Sequence, residues 1–341
     1  MKKSPLVSVC LPNLNNRPFL EERIQCILQQ TYTNWELVIV DNYSDDGAWE
    51  YFQSLDDPRI RIQQASKEGM YANWNNCIRL AMGDYIYIAT SDDTMTPDCI
   101  EKLTQVLEKH PLCDIAHSNL TVIDERGKEI EGFYLNKCRS PRYFKELIHQ
   151  PHIRHAPHDG LLHYYGGTVY VSITQLLIRK SLFNRVGFFS NDFGSAADFE
   201  WEMRASLVAN TVHVPEFLGT WRVHTDQATS FASVETPESY RKHLVMTRTA
   251  RRKIEQKGFT KVVSNASTWE VPLFVQIMSL DLAKAGNSVL KLFRLLKWSV
   301  RSPKALGVYL NLKRNQTKLD TVEYIRGKID ALNLPNSIER M

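Results

Sequence analysis

A chain of 341 residues, 43% hydrophobic and 23% charged, is composed like a globular protein; disordered and fibrous classes are excluded, and one large α/β domain with an appendage fits. The formal charge of +4 is small for this length and calls for neither nucleic acid nor an acidic partner. Cys10, Cys26, Cys77, Cys99, Cys113 and Cys138 include no CxxC pair, and no run approaches the roughly 18 apolar residues of a membrane span, so we expect buried free thiols in a cytoplasmic protein without a secretory leader.

From residue 6 to about 122, short apolar runs alternate with segments of helical period, a βα pattern that predicts a mainly parallel sheet flanked by helices. Residues 7–11 read as the first strand. Leu20, Ile24, Ile27 and Leu28 recur at helical spacing behind Pro18, which gives a helix with one buried face. Residues 37–40 form the second strand, ending at Asp41 in the turn-rich DNYSDDG, and Ile60 and Ile62 mark a third. Trp74, Cys77, Ile78 and Ala81 are the buried stripe of the next helix. It leads through Gly83 into a strand that stops at Asp92 and Asp93, and Ile100, Leu103, Val106 and Leu107 mark the helix after it.

After residue 123 the regularity breaks. A turn at 125–128 opens a long polar stretch to 167, which carries five histidines between His149 and His163. Pro151 and Pro157 interrupt any helix that would align them on zinc, so we expect a mobile lid with Gly166 and Gly167 as hinges. Residues 173–178 then read as a strand, 182–186 and 197–208 as helices, and 212–214 and 217–223 as final strands. From about 233 the chain reads as helical. Between Lys284 and Arg314 stand eight Lys or Arg and no acid, while Val289, Leu292, Phe293, Leu296 and Val300 share helical spacing. Two readings stay open: a basic amphipathic helix on an anionic membrane, or a helix packed on the main domain.

In an open parallel sheet the ligand crevice lies beyond the carboxyl ends of the strands. Pro12, Asn13 and Asn15 would stand there after the first strand, Asp41 and Asn42 after the second, and Asp92 and Asp93 after the fourth. Three polar clusters at one edge suggest a nucleotide site, and the paired carboxylates suit Mg²⁺ or Mn²⁺. The alternative is a turn in which Ser91, Asp92 and Thr94 cap the following helix. No GxGxxG or GxxxxGK[ST] loop is present, so a metal would have to neutralise the phosphates.

Four segments, in order, resemble the family 2 glycosyltransferases, which use nucleotide sugars on a GT-A fold. They are LPNLNNR (11–17), QQTYTNWELVIVDNYSDDG (29–47), EGMYANWNNCIRLAMGDYIYIATSDD (68–93, with Gly69 and Asn75 at the characteristic places), and VGFFSNDFGSAADFEWEMRAS (186–206) followed by WRVHTDQATS (221–230). The resemblance implies a GT-A domain over 1–232, with a nucleotide-binding half (1–122) and an acceptor half (123–232), and a helical C-terminal region over 233–341. Asp41 would contact the nucleobase or ribose, with Pro12, Asn13, Asn15, Asn42, Gly69, Asn75 and Ser91 around the nucleotide. Asp92 would hold Mn²⁺ or Mg²⁺, with Asp93 beside it; His224 would supply a further ligand or a hydrogen bond to the diphosphate, since imidazole serves either role. Asp198 would be the general base of an inverting transfer from a nucleoside-diphosphate sugar to a glycan or lipid-linked glycan in surface polysaccharide assembly. Arg204 would hold the helix by an ion pair. Thr90 replaces the first Asp of the family's DxD, and Ala197 the first of its acidic pair. These departures keep a second reading open, a nucleotide-sugar-binding module without catalysis. No nucleic-acid partner is expected, and residues 284–314 are the candidate membrane contact.

Overall fold

Alternation of apolar side chains determines the first strands. In the computed structural model, which describes residues 4–164, 169–225, 236–258, 270–315, 321–330 and 337–341, β1 (Val7–Asn13) sends Val7, Val9 and Leu11 into one apolar layer and Cys10 into the other. β2 (Trp35–Asp41) divides Trp35, Leu37 and Ile39 from Val38 and Val40 in the same way. Strands apolar on both faces need helices on both faces. Helices Arg17–Leu28, Ala48–Gln53 and Cys99–Lys109 cover one, and Met70–Leu80 with the later helices covers the other. β3 (Ile60–Gln64) and β4 (Tyr85–Ile88) complete a parallel group in the spatial order β3-β2-β1-β4.

Beyond β4 the sheet becomes mixed. β5 (Cys113–Asp124) and β8 (Asn210–Val223) pair in parallel, β7 (Leu176–Arg179) runs antiparallel between β4 and β5, and β6 (His152–Arg154) and β9 (Ile338–Arg340) finish the edge antiparallel. The α/β class holds, but parallel pairing is confined to β1–β4 and the β5–β8 pair. The strand expected to stop at Asp92 already ends at Ile88, and the two strands expected over 212–223 are the single β8.

The stretch expected to be a lid is instead buried structure. It holds helices Phe133–Lys137, Arg139–Phe144 and His158–Tyr164 besides β6, and His152, His158 and His163 are buried; Gly166 and Gly167 lie outside the described residues. Several of its buried polar side chains pair with one another, and the network continues into the neighbouring strands. Arg154 Nε donates to Asp159 at 2.7 Å, His158 Nδ1 lies 2.9 Å from the other Asp159 oxygen, Tyr170 Oη lies 2.8 Å from Thr211 Oγ1, and the Nδ1 atoms of His117 and His213 are 3.0 Å apart. Polarity in the sequence thus marks an internal network, as buried polar groups require partners. Gly160 lets helix His158–Tyr164 approach helix Ala197–Ser206 closely, since a Cβ there would stand 2.5 Å from Leu207 N.

Helix Pro237–Gln256, capped by the Thr236 hydroxyl, puts Met246, Ala250 and Ile254 into the main core and Leu244 into a separate one. That second core is shared with helices Val271–Ala283, Ser288–Arg301 and Pro303–Arg314. The helical region also contains β9, and Arg326 of helix Thr321–Asp330 donates to Tyr143 O. Among the described residues no helix is long and apolar enough to cross a membrane.

Burial holds His117 and His213 well below the usual imidazole range, aided by the Arg154 charge, and lowers His152 to about 4 and His163 to about 3. The unfolded chain therefore takes up protons below about pH 6.5 that the native state refuses, and stability falls as the pH drops from there towards 4. Each histidine contributes up to about 1.4 kcal/mol per pH unit. Urea unfolding at pH 7.5, 6 and 5 should show this decline, and His163→Phe, which removes a ring whose two nitrogens have no hydrogen-bond partner among the described residues, should make it shallower.

Candidate active site

The loops that leave β1, β2 and β3 are joined into one floor. Asn13 donates to Asp41 Oδ1 at 2.9 Å and to Ser44 Oγ at 3.1 Å, while Ser44 N and Oγ donate to the two Asp41 oxygens at 2.9 and 2.5 Å. Asn15, in left-handed backbone with φ 53°, exchanges two hydrogen bonds with Asp45, and Asn42 donates to Ala65 O and Ser66 O. Pro12 is buried in register with Val40. Asp41, expected to meet a nucleotide, is fully buried with both oxygens engaged by this loop network. It organises the floor from beneath.

Gly69 begins helix Met70–Leu80 at φ 104°, a conformation L side chains rarely adopt, with open space where a Cβ would stand. Asn75, also expected at the nucleotide, instead has its amide bonded at both ends to Phe189, donating to O at 2.9 Å and accepting from N at 3.0 Å. It fastens this helix to the segment that precedes Asp198. Ser91 is buried and accepts from Asn16 Nδ2 at 2.8 Å.

The expected metal ligands separate into two kinds. Asp93 is 2% exposed and accepts from Thr90 Oγ1 at 2.5 Å and Arg222 N at 2.7 Å. Burial, with the Asp92 charge beside it, pushes its carboxyl up to about 7. It faces inward and its bonds are internal. The Asp92 carboxylate is 24% exposed, and its Oδ2 lies 3.2 Å from His224 Nε2. Neither Asp92, Ser91 nor Thr94 caps the next helix, whose N-cap is Asp98; Thr94 pairs with Thr220. An accessible carboxylate beside an imidazole is a donor pair that suits Mn²⁺ and tolerates Mg²⁺. Among the described residues no group of three His, Cys, Asp or Glu could hold a metal, so further ligands would be diphosphate oxygens and water.

Arg222, which sequence reasoning passed over, holds this arrangement. Its side chain is buried; Nε donates to Asp92 O at 2.6 Å, Nη1 to Asp124 O and Glu125 O, and Nη2 to Glu22 at 2.6 Å. The planar guanidinium reaches all four acceptors at once, which an ammonium cannot do.

Asp198 stands in the first turn of helix Ala197–Ser206, accepts from Phe199 N at 2.7 Å, and lies within hydrogen-bond reach of the Tyr71 hydroxyl. Its enclosure pushes the carboxyl up to about 6. Arg204 fixes the helix: it forks onto Glu200 at 2.7 and 3.0 Å and donates to Phe188 O and Val186 O. Ala197 is buried in the apolar layer. Glu202, one turn beyond Asp198 on the same face, is a second missed acid. It is 3% exposed, no described residue hydrogen-bonds or ion-pairs with it, and burial together with the Asp198 charge pushes its carboxyl well above the usual range. The spacing D-x-x-x-E in a helix was its sequence signal.

Arg222→Ala should lower stability by about 3 kcal/mol, the scale of charge-assisted hydrogen bonds left unmade. Arg222→Lys should recover less than half, read by urea unfolding. A value for Arg222→Ala within the error of the parent protein would remove the clamp from this account.

Residues 8–168 match the family model described as Glycosyl transferase family 2. The glycosyltransferase GlyG of Streptococcus pneumoniae serotype 4 is 31% identical over 188 residues, 54% of this chain and 60% of that protein. WcaA of Escherichia coli (strain K12), whose name places it in colanic acid biosynthesis, is 39% identical over 103 residues, 29% of this chain and 36% of that protein. The chain thus spans about half the length of curated relatives it matches, 47% of one and 60% of another. Among solved structures, Staphylococcus aureus TarS (residues 1–349) in complex with UDP-GlcNAc superposes with a TM-score of 0.56 at 15% identity, covering 92% of this chain and 95% of that one. At that identity the likeness speaks for the fold alone, an α/β GT-A arrangement. Over residues 8–168, just under half of its length, this chain carries a glycosyl transferase family 2 region.

Proposed function

We propose that the protein transfers a sugar, with inversion, from a nucleoside-diphosphate sugar to a hydroxyl of a glycan or lipid-linked glycan in polysaccharide assembly. The observation that carries this reading is the accessible Asp92 carboxylate beside His224 at the carboxyl edge of the parallel strands. A UDP-sugar bound by TarS and the colanic acid role in the name of WcaA support the donor and acceptor classes. Six free thiols, five of them buried, support a cytoplasmic setting.

In this reading Asp198 removes the proton from the acceptor hydroxyl as it attacks the anomeric carbon from the face opposite the diphosphate. A carboxyl raised to about 6 is ionised at pH 7 yet basic enough to share a proton in the transition state. Burial and the Asp198 charge push the Glu202 carboxyl up, which disfavours a second negative charge on this wall. Tyr71 limits the rotation of the Asp198 carboxylate, and Arg204 fixes the helix that carries it. Mn²⁺ or Mg²⁺, which Asp92 and His224 would hold, supplies when bound the positive charge that offsets the departing diphosphate. The second reading, a binding module without turnover, draws on Thr90, which is engaged with Asp93, and on Ala197.

Calorimetric titration with UDP, GDP, dTDP and CDP, each with Mn²⁺, Mg²⁺ or EDTA, should show metal-dependent binding of one nucleotide that Asp92→Ala abolishes. Binding indifferent to EDTA would take Asp92 out of the metal role. Asp198→Asn should cut turnover by about 10²–10⁴-fold while leaving nucleotide affinity unchanged. Because the base must be ionised, kcat/KM of the parent protein should fall as the pH drops through about 6. Nucleotide binding without turnover across a broad panel of donors and acceptors would favour the module.

A further inference from the structure

Helix Ser288–Arg301 carries most of its apolar side chains on the outside of the protein. Val289, Leu292, Phe293, Leu296 and Val300 fall on one face at helical spacing and are 66%, 59%, 67%, 56% and 86% exposed. The helix is held from its other side. Trp298 is buried, its ring packs edge-on against Phe274, and its indole N–H lies 3.3 Å from the Asp281 carboxylate; Leu295 is partly buried in the same small core. Asn287 caps the start by accepting from Leu290 N at 2.8 Å. The alternative in which the stripe packs on the main domain is therefore not the one the chain adopts. A contiguous apolar stripe of this kind on the surface calls for a partner.

Charge distinguishes the partners. The stretch from Lys284 to Arg314 has eight Lys or Arg and no Asp or Glu, and Lys284, Lys291, Lys297, Arg301, Lys304, Lys313 and Arg314 are exposed. A second copy of the chain docking through the same face would bring two such cationic stretches together, which like-charge repulsion opposes. An anionic lipid surface offers both components at once, phosphates for the cations and an acyl boundary for the stripe. We propose that this face docks on an anionic lipid bilayer, with Val289, Leu292, Phe293, Leu296 and Val300 entering the headgroup boundary and the surrounding lysines and arginines meeting lipid phosphates. The proposal stands on the helical region alone and does not depend on the chemistry of the crevice.

The test is flotation of the full chain with vesicles of phosphatidylcholine, with and without phosphatidylglycerol, at low and high salt. The parent protein should float only with the anionic lipid and lose affinity as salt rises. Phe293→Glu combined with Leu296→Glu should weaken binding at least about tenfold, and Lys297→Glu by roughly fivefold or more. All three positions are exposed, so the variants should keep the parent melting temperature. No flotation on either vesicle, equal flotation on neutral vesicles, or full binding by the Phe293 and Leu296 double variant would overturn the proposal. So would a salt-resistant dimer in light scattering that the double variant abolishes, since the stripe would then belong to a second copy.

Discussion

The guanidinium of Arg222 sits where β8, the 90–93 turn, the 124–125 turn and helix Arg17–Leu28 come together, and its contacts give the crevice its shape. A buried cation is tolerated only when its donors find acceptors, and here these are the Asp92 carbonyl, the carbonyls of Asp124 and Glu125, and the Glu22 carboxylate. His224 follows two residues later on the same strand exit. The position of the imidazole relative to Asp92 is thus a consequence of where Arg222 is held. Phe19 packs against both Arg222 and His224, so the apolar and ionic parts of the site share one support.

Asp93 and Asp198 are both raised by burial and serve different ends. Asp93 receives internal hydrogen bonds from Thr90 and Arg222 and is part of the turn's construction. Asp198 is partly exposed at the start of its helix, with the hydroxyl of Tyr71 as neighbour. A shifted pKa alone would rank the two together; their hydrogen-bond inventories separate them. Helix Met70–Leu80 is joined to the segment before Asp198, since Tyr71 reaches Ser195 O, Asn75 holds Phe189, and Trp74 packs edge-on against the Phe189 ring.

The first four strands were legible because each carries a run or alternation of apolar residues, and the position of Asp92 at the sheet edge followed from them. β5 was missed because His117, Ser118 and Asn119 break the apolar run, and those side chains are buried and take part in the polar network or its neighbourhood. The histidine-rich stretch misled for the same reason, as sequence polarity does not distinguish solvent from an internal partner. Arg222 was invisible as a site residue since its importance lies in contacts with residues 92 and 93, about 130 positions away, and the only sequence signal of Glu202 was its helical spacing from Asp198. The resemblance placed Asp41 and Asn75 at the ligand, whereas their side chains are occupied in holding the loops and helices around the crevice.

The edge strand β9 adds a geometric consequence. It pairs with β6, and its neighbour His155 N donates to Ser337 O, while helix Pro237–Gln256 is set into the main core at the other end of the helical region. The basic helices between them are therefore attached to the sheet at two separated points rather than one. An object tethered at two points has little freedom to rotate about the line of a single linker. Holding that region would thus set the tilt of the whole sheet, and with it the direction in which the crevice opens.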